Sequence, residues 1–511
     1  MSKNEEKISM SSKVNISPEV ISSNELNTPA TLALKDNKDV PPIESISVEL
    51  QERKNEDKVN VNGIVLSPLV ALKSSKETEP IEPPYNPKSN SSILGAAMTQ
   101  INICLGASIF TFGIRGKQFG LVWILAINFV CAFINYWSIT RQVQGSEKLI
   151  ENEYPEIIGK VLGKKFKNIF NVTLIIFDLG ILMTFLTIIY ECLGRFIQSI
   201  FFHDSYFYFD DFNNDYWGKL YFRFPIIFGM SFLMALICLS KDMGKLSFMS
   251  YIAVGSVLYT MLIILIQVKG YYNHYKETEY DPEDENTYVN YTDLSKAFTS
   301  KLDFFKGMSS LFYAYACQTG IYPVYNTFKP EKNSVEKMKK STMIAMVVTS
   351  IFHVIAITCG YLTEPVDPKS LIIFRQPKDN GYDILMNIAK LAVAISIFFS
   401  GPPNYMSARI SFADVFTDGK IGKQFNYFLT FSLLAFCATV SSLYDKVLNY
   451  MNYLGGFVAV FFSYLFPILI YIKTNGKPFT HWQNILELSF AILLCIIGYI
   501  AGIRTVIDDF S

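Results

Sequence analysis

The chain has 511 residues, of which 50% are hydrophobic and 15% aromatic, and its 45 Lys and Arg residues balance 45 Asp and Glu residues. This composition is too apolar for a soluble globular protein of such length, so we expect a membrane protein. The zero net charge argues against a general nucleic-acid binder, because such proteins carry a marked basic excess. The eight cysteines lie in apolar segments without a Cys/His cluster, which predicts neither a disulfide framework nor a metal site.

Residues 1–92 form a polar N-terminal segment rich in Ser, Asn, Lys, Glu and Pro, with Tyr85 as its only aromatic residue. Such a segment buries too little apolar surface to offset the entropy of ordering, which predicts a disordered cytosolic tail. No stretch near Met1 resembles a cleavable signal peptide. The transmembrane domain is expected to occupy residues 93–511.

The first apolar segment, Ile93–Ile114, is long enough to cross a bilayer but has small and hydroxyl residues in its middle, at Gly106, Ala107 and Ser108. This pattern predicts a transmembrane helix that is broken at these residues. A break frees backbone N–H and C=O groups, and without water these are tolerated only beside a cavity, an ion or a polar substrate. Close packing of another helix against the small residues is the alternative interpretation.

Ten further apolar segments follow, each long enough at ~1.5 Å per residue to cross a ~30 Å hydrocarbon core, which predicts about eleven transmembrane helices in an all-α polytopic protein. They are Gly120–Thr140, Ile169–Phe196, Phe222–Ser240, Leu246–Val268, Asp303–Thr327, Ser341–Thr363, Asp383–Ala408, Phe425–Tyr444, Val447–Ile472 and Ile485–Ile507. Short basic loops alternate with acidic ones, which predicts a cytosolic N-terminus and an extracellular or lumenal C-terminus. Asn290 begins an Asn-Tyr-Thr glycosylation motif in a loop that this orientation places outside the cytosol.

The sixth segment is also interrupted, by Gln318, Thr319, Gly320 and Pro323. Proline removes a backbone donor and clashes with the carbonyl four residues earlier, so a second break is predicted here. It lies five helices after the first, and paired interruptions indicate a secondary transporter built from two inverted repeats with its substrate near the midplane. Helices one to five and six to ten would be the repeats. Two unrelated kinks are the alternative.

Several stretches resemble the amino acid/auxin permease family in their order and spacing. They are Asn102–Gly120 (NICLGASIFTFGIRGKQFG), Tyr154–Lys167 (YPEIIGKVLGKKFK), Phe312–Thr363, Leu391–Arg409 and Leu454–Ile472. The resemblance covers essentially all of residues 93–505. It implies a five-plus-five inverted-repeat (LeuT-like) core plus one extra helix, and amino-acid transport coupled to H⁺ or Na⁺, as in vacuolar and neutral amino-acid transporters.

The resemblance also implies where the substrate and the coupling ion bind. Backbone groups freed at the two breaks would meet the carboxylate and the amine of an amino acid. These residues are Leu105, Gly106, Ala107 and Ser108 at the first break and Tyr315, Ala316, Cys317 and Gln318 at the second. Asn102 matches a position that helps to hold sodium in sodium-coupled members, and Ser400, or less favourably Ser396, lies near a hydroxyl supplied by the eighth helix.

Two departures from the family pattern affect this site. Ser108 stands where the family has the second glycine of a Gly-Ser-Gly pattern, which narrows the substrate space or adds a hydroxyl to it. Gln318 stands where the family has a histidine. A neutral amide cannot carry a proton, so a proton relay would have to run elsewhere.

Asp178 is an acidic residue within the third apolar segment. A carboxylate there is costly unless it is protonated, paired or facing a cavity, so Asp178 is a candidate proton-coupling group. There are two alternatives: Asp178 makes a structural hydrogen bond, or it is a packed carboxylic acid that never titrates. His353 is alone on an apolar helix and is interpreted as a packing residue.

These patterns favour a secondary active amino-acid transporter that works by alternating access. A passive facilitator or channel, or a receptor-like sensor of amino acids, is the alternative, although the sequence has no evident charged or carbonyl-lined filter. No P-loop, histidine-rich metal cluster or nucleophile motif suggests an enzyme, and no cofactor is expected beyond the coupling ion. The expected partners are the amino-acid substrate and the lipid bilayer of a plasma, vacuolar or lysosome-like membrane. The oligomeric state is left open.

Overall fold

The computed structural model describes residues 59–61, 64–66, 92–149, 151, 153–201, 219–239, 247–284, 287–289, 291, 303–328, 333–375, 377, 383–417 and 422–510. The chain divides into two units, Met1–Ile81 and Glu82–Ser511. In the first unit, β1 (Val59–Val61) and β2 (Ile64–Leu66) pair as a short antiparallel hairpin. The other residues before Ser92, for which disorder is expected, lie outside the described residues, as does the expected glycosylation residue Asn290.

The second unit is built of helices. The α-helices are α1 (Ile93–Cys104), α2 (Gly113–Phe119), α3 (Leu121–Ser146), α4 (Tyr154–Leu162), α5 (Lys164–Phe201), α6 (Phe224–Cys238), α7 (Ser247–Thr278), α8 (Asp303–Ala314), α9 (Ile321–Tyr325), α10 (Ser334–Thr363), α11 (Ile384–Phe416), α12 (Lys423–Leu443), α13 (Val447–Tyr453), α14 (Phe466–Thr474) and α15 (Trp482–Phe510). Tighter 3₁₀ turns lie at Ala107–Thr111, Gln318–Gly320 and Ile372–Phe374, and wider π-helical turns at Lys219–Arg223, Leu454–Ala459 and Phe461–Leu465.

In the described part of the chain, nine helices are long and apolar enough to cross a membrane. They are Leu121–Ser146, Lys164–Ile200, Tyr221–Cys238, Ile252–Thr278, Ser334–Thr363, Ile384–Phe416, Gln424–Leu443, Val447–Thr474 and Trp482–Phe510. Residues 93–119 and 303–328 are also helical but interrupted, as their sequences predict. The expected all-α polytopic class is therefore confirmed, and a count of eleven crossings requires each interrupted segment to count as one.

The helices bury polar residues and expose apolar ones, the reverse of helices in soluble proteins. In α3 the amide side chains of Asn128 and Asn135 are fully buried, whereas Phe129 and Phe133 are 55% and 69% exposed. Outward apolar side chains suit hydrocarbon, while polar groups inside a bundle can find hydrogen-bond partners. This pattern is what a bilayer-embedded bundle requires.

Packing around the interrupted segments is close. Helix α1 packs against α10, which also packs against α3, and α8 packs against α15 and the wide turn Leu454–Ala459. A Cβ atom on Gly455 in that turn would lie only 1.8 Å from the Ser309 carbonyl oxygen of α8. Glycine is therefore needed for the two backbones to approach this closely. The interrupted segments thus lie against continuous helices that hold them in place.

Candidate functional site

The first interruption begins where α1 ends. The backbone N–H of Leu105 still donates to the Ile101 carbonyl at 2.8 Å, and Gly106 is then extended, with φ −68° and ψ −163°. A 3₁₀ turn from Ala107 leads into α2. Within the described residues, the backbone N–H groups of Gly106 and Ser108 have no hydrogen-bond acceptor. The predicted break is confirmed, and it leaves backbone donors free inside the bundle.

The second interruption links α8 to the short helix α9. Tyr315, Ala316 and Cys317 are not helical, and the N–H of Cys317 donates to the Tyr315 carbonyl at 2.9 Å in a three-residue turn. The N–H of Gly320 donates to the Cys317 carbonyl at 3.0 Å, and Pro323 lies within α9. The helix therefore opens at Tyr315, several residues before the proline that signals the break in sequence.

The two interruptions lie against each other. A Cβ atom on Gly320 would lie 2.6 Å from Cδ1 of Ile103, near the end of α1. Cys104 at the end of α1 and Cys317 in the second interruption are both buried. The expectation that two helices come apart opposite each other is therefore confirmed.

A buried hydrogen-bonded cluster supports the second interruption. The Tyr315 hydroxyl donates to Asn128 Oδ1 at 2.8 Å and lies 3.0 Å from Ser350 Oγ. The Asn128 Nδ2 group donates to the Ser350 carbonyl at 3.3 Å, which fixes the orientation of the amide. His353 Nδ1 lies 3.3 Å from Asn128 Oδ1, and the His353 ring contacts Phe112 beside the first interruption, with centroids 4.5 Å apart. The cluster joins both interruptions to α3 and α10.

This arrangement also fixes the protons on His353. Asn128 Oδ1 can only accept, so His353 Nδ1 carries the hydrogen in a neutral ring and Nε2 is a bare acceptor. Nε2 is buried and has no partner in the described part of the chain. The sequence interpretation of His353 as a packing residue misses these hydrogen bonds, and it does not single out Asn128. The signal that both share is a strongly polar side chain within an apolar stretch of a transmembrane helix.

Gln318 is fully buried in a second cluster. Its Nε2 donates to Asn135 Oδ1 at 2.8 Å, and its Oε1 accepts from Ser463 Oγ at 2.8 Å. Gln142 Nε2 donates to the Gln318 carbonyl at 3.0 Å, and Asn135 Nδ2 donates to the Tyr464 hydroxyl at 3.1 Å. The Gln318 side chain and carbonyl therefore tie the second interruption to α3 and the wide turn Phe461–Leu465.

Asp178 lies on α5, facing α11. Ser407 of α11 lies near its carboxyl group, and Oδ2 has no partner among the residues that the structure describes. The carboxyl group is buried, with 4% of the residue exposed. None of the hydrogen bonds of the described residues joins it to either interruption. Its neighbour Phe177 contacts Tyr313 near the end of α8, with ring centroids 6.0 Å apart.

The candidate sodium residues lie on two different helices. Asn102 on α1 is half-buried, and within the described ranges its side chain makes no hydrogen bond. On α11, Ser400 Oγ donates to the Ser396 carbonyl at 2.9 Å, and Asn404 Nδ2 donates to the Ser400 carbonyl at 2.8 Å. The hydroxyl of Ser400 is thus used within its own helix, and no hydrogen bond between described residues joins Asn102 to α11.

An apolar turn covers the first interruption. Leu371–Phe374 is buried and contacts the 3₁₀ turn that begins at Ala107. Arg375 follows, with its guanidinium 4.0 Å above the Tyr271 ring and 3.8 Å from Asp383. Burial lowers the pKa of Arg375, and the Tyr271 ring and the Asp383 carboxylate oppose this shift. The turn therefore packs beside the first interruption.

The Tyr315 hydroxyl provides a direct test of the cluster. We expect Tyr315→Phe to lower the free energy of unfolding by about 1–3 kcal/mol, because Asn128 Oδ1 and Ser350 Oγ lose a buried partner. Thermal unfolding of the purified protein in detergent measures this change. Tyr313→Phe, at the end of the adjoining helix α8, is the matched control, since no hydrogen bond of the Tyr313 hydroxyl is present among the described residues. Equal unfolding midpoints for the two variants would contradict the role of the cluster.

Comparison with known proteins agrees with this architecture. The family described as transmembrane amino acid transporter protein matches residues 89–508. Amino acid transporter AVT6E of Arabidopsis thaliana is 23% identical over 430 residues, which cover 81% of this chain and 83% of the relative. The putative sodium-coupled neutral amino acid transporter 11 of Homo sapiens is 19% identical over 409 residues, covering 77% and 90%. Sodium-coupled neutral amino acid transporter 7 of Danio rerio is 21% identical over 423 residues, covering 79% and 84%.

The family match extends from just before α1 almost to the end of α15, so it includes both interruptions and the helices that hold them. It confirms the resemblance drawn from the sequence motifs. This chain therefore belongs to the transmembrane amino acid transporter family and is a multi-pass membrane protein.

Proposed function

We propose that this protein is a secondary active transporter that moves amino acids across a membrane by alternating access. The observation that carries the proposal is the contact between two interrupted helices, one of which leaves the N–H groups of Gly106 and Ser108 without acceptors. Free backbone groups at bilayer depth need a polar ligand, because lipid offers none. The relatives are named as amino-acid transporters, which supports an amino acid as that ligand.

The chemistry of the interruptions suits a zwitterion. The free N–H groups at Gly106 and Ser108 are donors for a carboxylate, while the carbonyls at the end of α1 are acceptors for an ammonium group. Leu105 and Ala107 complete the first binding segment. Tyr315, Ala316 and Cys317, with the N–H of Gln318, supply the second. The substrate would thus be held by backbone groups, with its side chain recognised separately.

The wider architecture follows from the same proposal. Counting each interrupted segment as one crossing gives eleven, with two inverted repeats of five helices (a LeuT-like core) and α15 as the extra helix. The short basic loops favour a cytosolic N-terminal segment, residues 1–92, and an extracellular or lumenal C-terminus. Asn290 would then be glycosylated. The membrane is a plasma, vacuolar or lysosome-like one.

Two sets of residues are alternative candidates for the ion-coupling site. The relatives named as sodium-coupled favour Na⁺, for which Asn102 and Ser400, or Ser396, are the candidates. Asp178 favours H⁺, because its buried Oδ2 has no partner in the described part of the chain. Passive facilitation, without an ion, is the second candidate function.

Gradient-driven uptake tests the proposal. The full-length protein in proteoliposomes should accumulate a radiolabelled amino acid only when an H⁺ or Na⁺ gradient is imposed. One pH unit stores ~1.36 kcal/mol per mole of protons and therefore sustains up to ~tenfold accumulation at one proton per substrate. Protein-free liposomes and gradients collapsed by ionophores are the controls. Uptake that equilibrates the substrate equally with and without every gradient would replace the proposal with a facilitator or channel.

Gly106 links the geometry to the function. A Cβ atom there meets no atom within 4 Å, and the extended backbone accepts any residue. We expect Gly106→Ala to keep the unfolding midpoint of the wild type but to reduce uptake about tenfold or more, because the methyl group occupies substrate space. Gly255→Ala, where a Cβ atom also meets open space, is the matched control. Wild-type uptake by Gly106→Ala would show that the space beside this residue does not hold the substrate.

Asp178 is tested by its effect on the pH dependence of uptake. If Asp178 carries the coupling proton, wild-type uptake rises as the external pH falls, and Asp178→Asn removes this dependence because an amide binds no proton. Initial rates over a pH series at constant Na⁺ measure the effect. Asp367→Asn, which removes an exposed carboxylate that pairs with Lys369, is the control. An unchanged profile in Asp178→Asn would exclude Asp178 from coupling.

A further inference from the structure

Arg115 is a fully buried cation on α2, the helix that follows the first interruption. Its helix is packed tightly: a Cβ atom on Gly116 would lie 2.4 Å from the Tyr361 ring, and one on Gly113 would lie 3.1 Å from the backbone of Gly360. Lys117, the next cationic residue, is exposed. The Arg115 guanidinium is therefore enclosed in the bundle, whereas its neighbour reaches the surface.

The partners of Arg115 are neutral. Its Nη1 donates to Gln118 Oε1 at 2.5 Å, and its Nη2 donates to Asn452 Oδ1 at 3.3 Å. No ion pair of Arg115 is found in the described residues, and only burial, not a neighbouring charge, acts on its guanidinium. Two amide oxygens share the positive charge but do not neutralise it. A buried charge without a counter-charge is strongly unfavourable, and within a membrane segment it indicates a function.

Two hydrogen-bond donors at this place have no acceptor. They are Nε of Arg115 and Nδ2 of Asn452, and neither atom has a partner in the part of the chain that the structure describes. Asn452 is fully buried on α13. Asn452 Oδ1 accepts the hydrogen bond from Arg115. The other end of the amide, Nδ2, is therefore the donor. The Arg115 cation has no counter-charge among the described residues, and two adjacent donors have no acceptor there. A single negatively charged acceptor would satisfy all three.

We propose that Arg115 and Asn452 bind a small monovalent anion between α2 and α13. The anion neutralises the guanidinium and accepts the hydrogen bonds of Arg115 Nε and Asn452 Nδ2. Charge-assisted bonds from a guanidinium suit both a carboxylate and a halide. The source is dissolved chloride or a carboxylate, and the two are separated by the choice of probe. This site is additional to the backbone site proposed for the substrate.

Thermal unfolding of the purified full-length protein in detergent tests the site without any transport step. Sodium chloride and sodium acetate are compared with sodium gluconate, whose anion is too large for an enclosed site, at one Na⁺ concentration. A ligand that binds only the folded state stabilises it by mass action, so we expect chloride or acetate to raise the midpoint by about 2 °C or more. A rise with chloride alone identifies a halide, and a rise with acetate alone identifies a carboxylate.

Two variants and a matched control make the test specific. Arg115→Gln removes the cation, and Asn452→Asp supplies a carboxylate beside it, so both are expected to lose the anion-dependent rise. Asn452→Asp is also expected to unfold in gluconate near the midpoint of wild type in chloride or acetate. Lys117→Gln, which removes an exposed charge from the same helix, is expected to keep the wild-type rise.

Two outcomes would overturn the anion site. One is a wild-type midpoint that is the same in all three salts. The other is an equal rise in wild type and Asn452→Asp, which would be a general salt effect. If Arg115→Gln does not fold, Asn452→Asp alone still tests the site. Because the readout needs no uptake, failure of the anion site and failure of the proposed transport are distinguishable.

Discussion

Every backbone N–H and C=O inside a bilayer needs a hydrogen-bond partner, and this requirement explains most of the structure. The continuous helices satisfy it internally, and the interruptions at Gly106 and Tyr315 do not. Each interruption costs free energy because backbone groups lose their helical partners. The two lie in contact near Cys104 and Cys317, inside a shell of continuous helices, which limits this cost. The free groups are thereby kept from lipid and concentrated at one place, where a polar ligand can meet them.

Side-chain amides hold the interruptions open. Asn128 and Asn135 lie two turns apart on α3, and each contacts one residue of the second interruption: Tyr315 and Gln318 respectively. An amide offers donors and an acceptor without a charge, so it can satisfy an irregular backbone at a lower cost than an ionised group. Helix α3 therefore holds the unwound segment in place through two of its amide side chains.

Ionisable groups in the bundle differ in how fully they are paired. Asp178 and His353 each have one buried polar atom without a partner among the described residues, and Arg115 has only neutral partners. Among the described residues, no ion pair joins any two of these three groups. Buried groups of this kind are costly in a membrane, which makes them candidates for ligand or proton binding.

The sequence alone determined the all-α membrane class, because long apolar runs act locally on the backbone, and the order of its motifs indicated the family. It also indicated both interruptions, although the second helix opens at Tyr315 and Pro323 lies within α9. It did not reveal that Gln318 would be committed to Asn135 and Ser463, or that Arg115 would be buried with no ion pair among the described residues. Those properties depend on which faces of separate helices meet, and residues more than a hundred positions apart decide them. Hydropathy and helix-breaking residues report the local state of the chain, whereas partners inside the bundle exist only once the helices have packed.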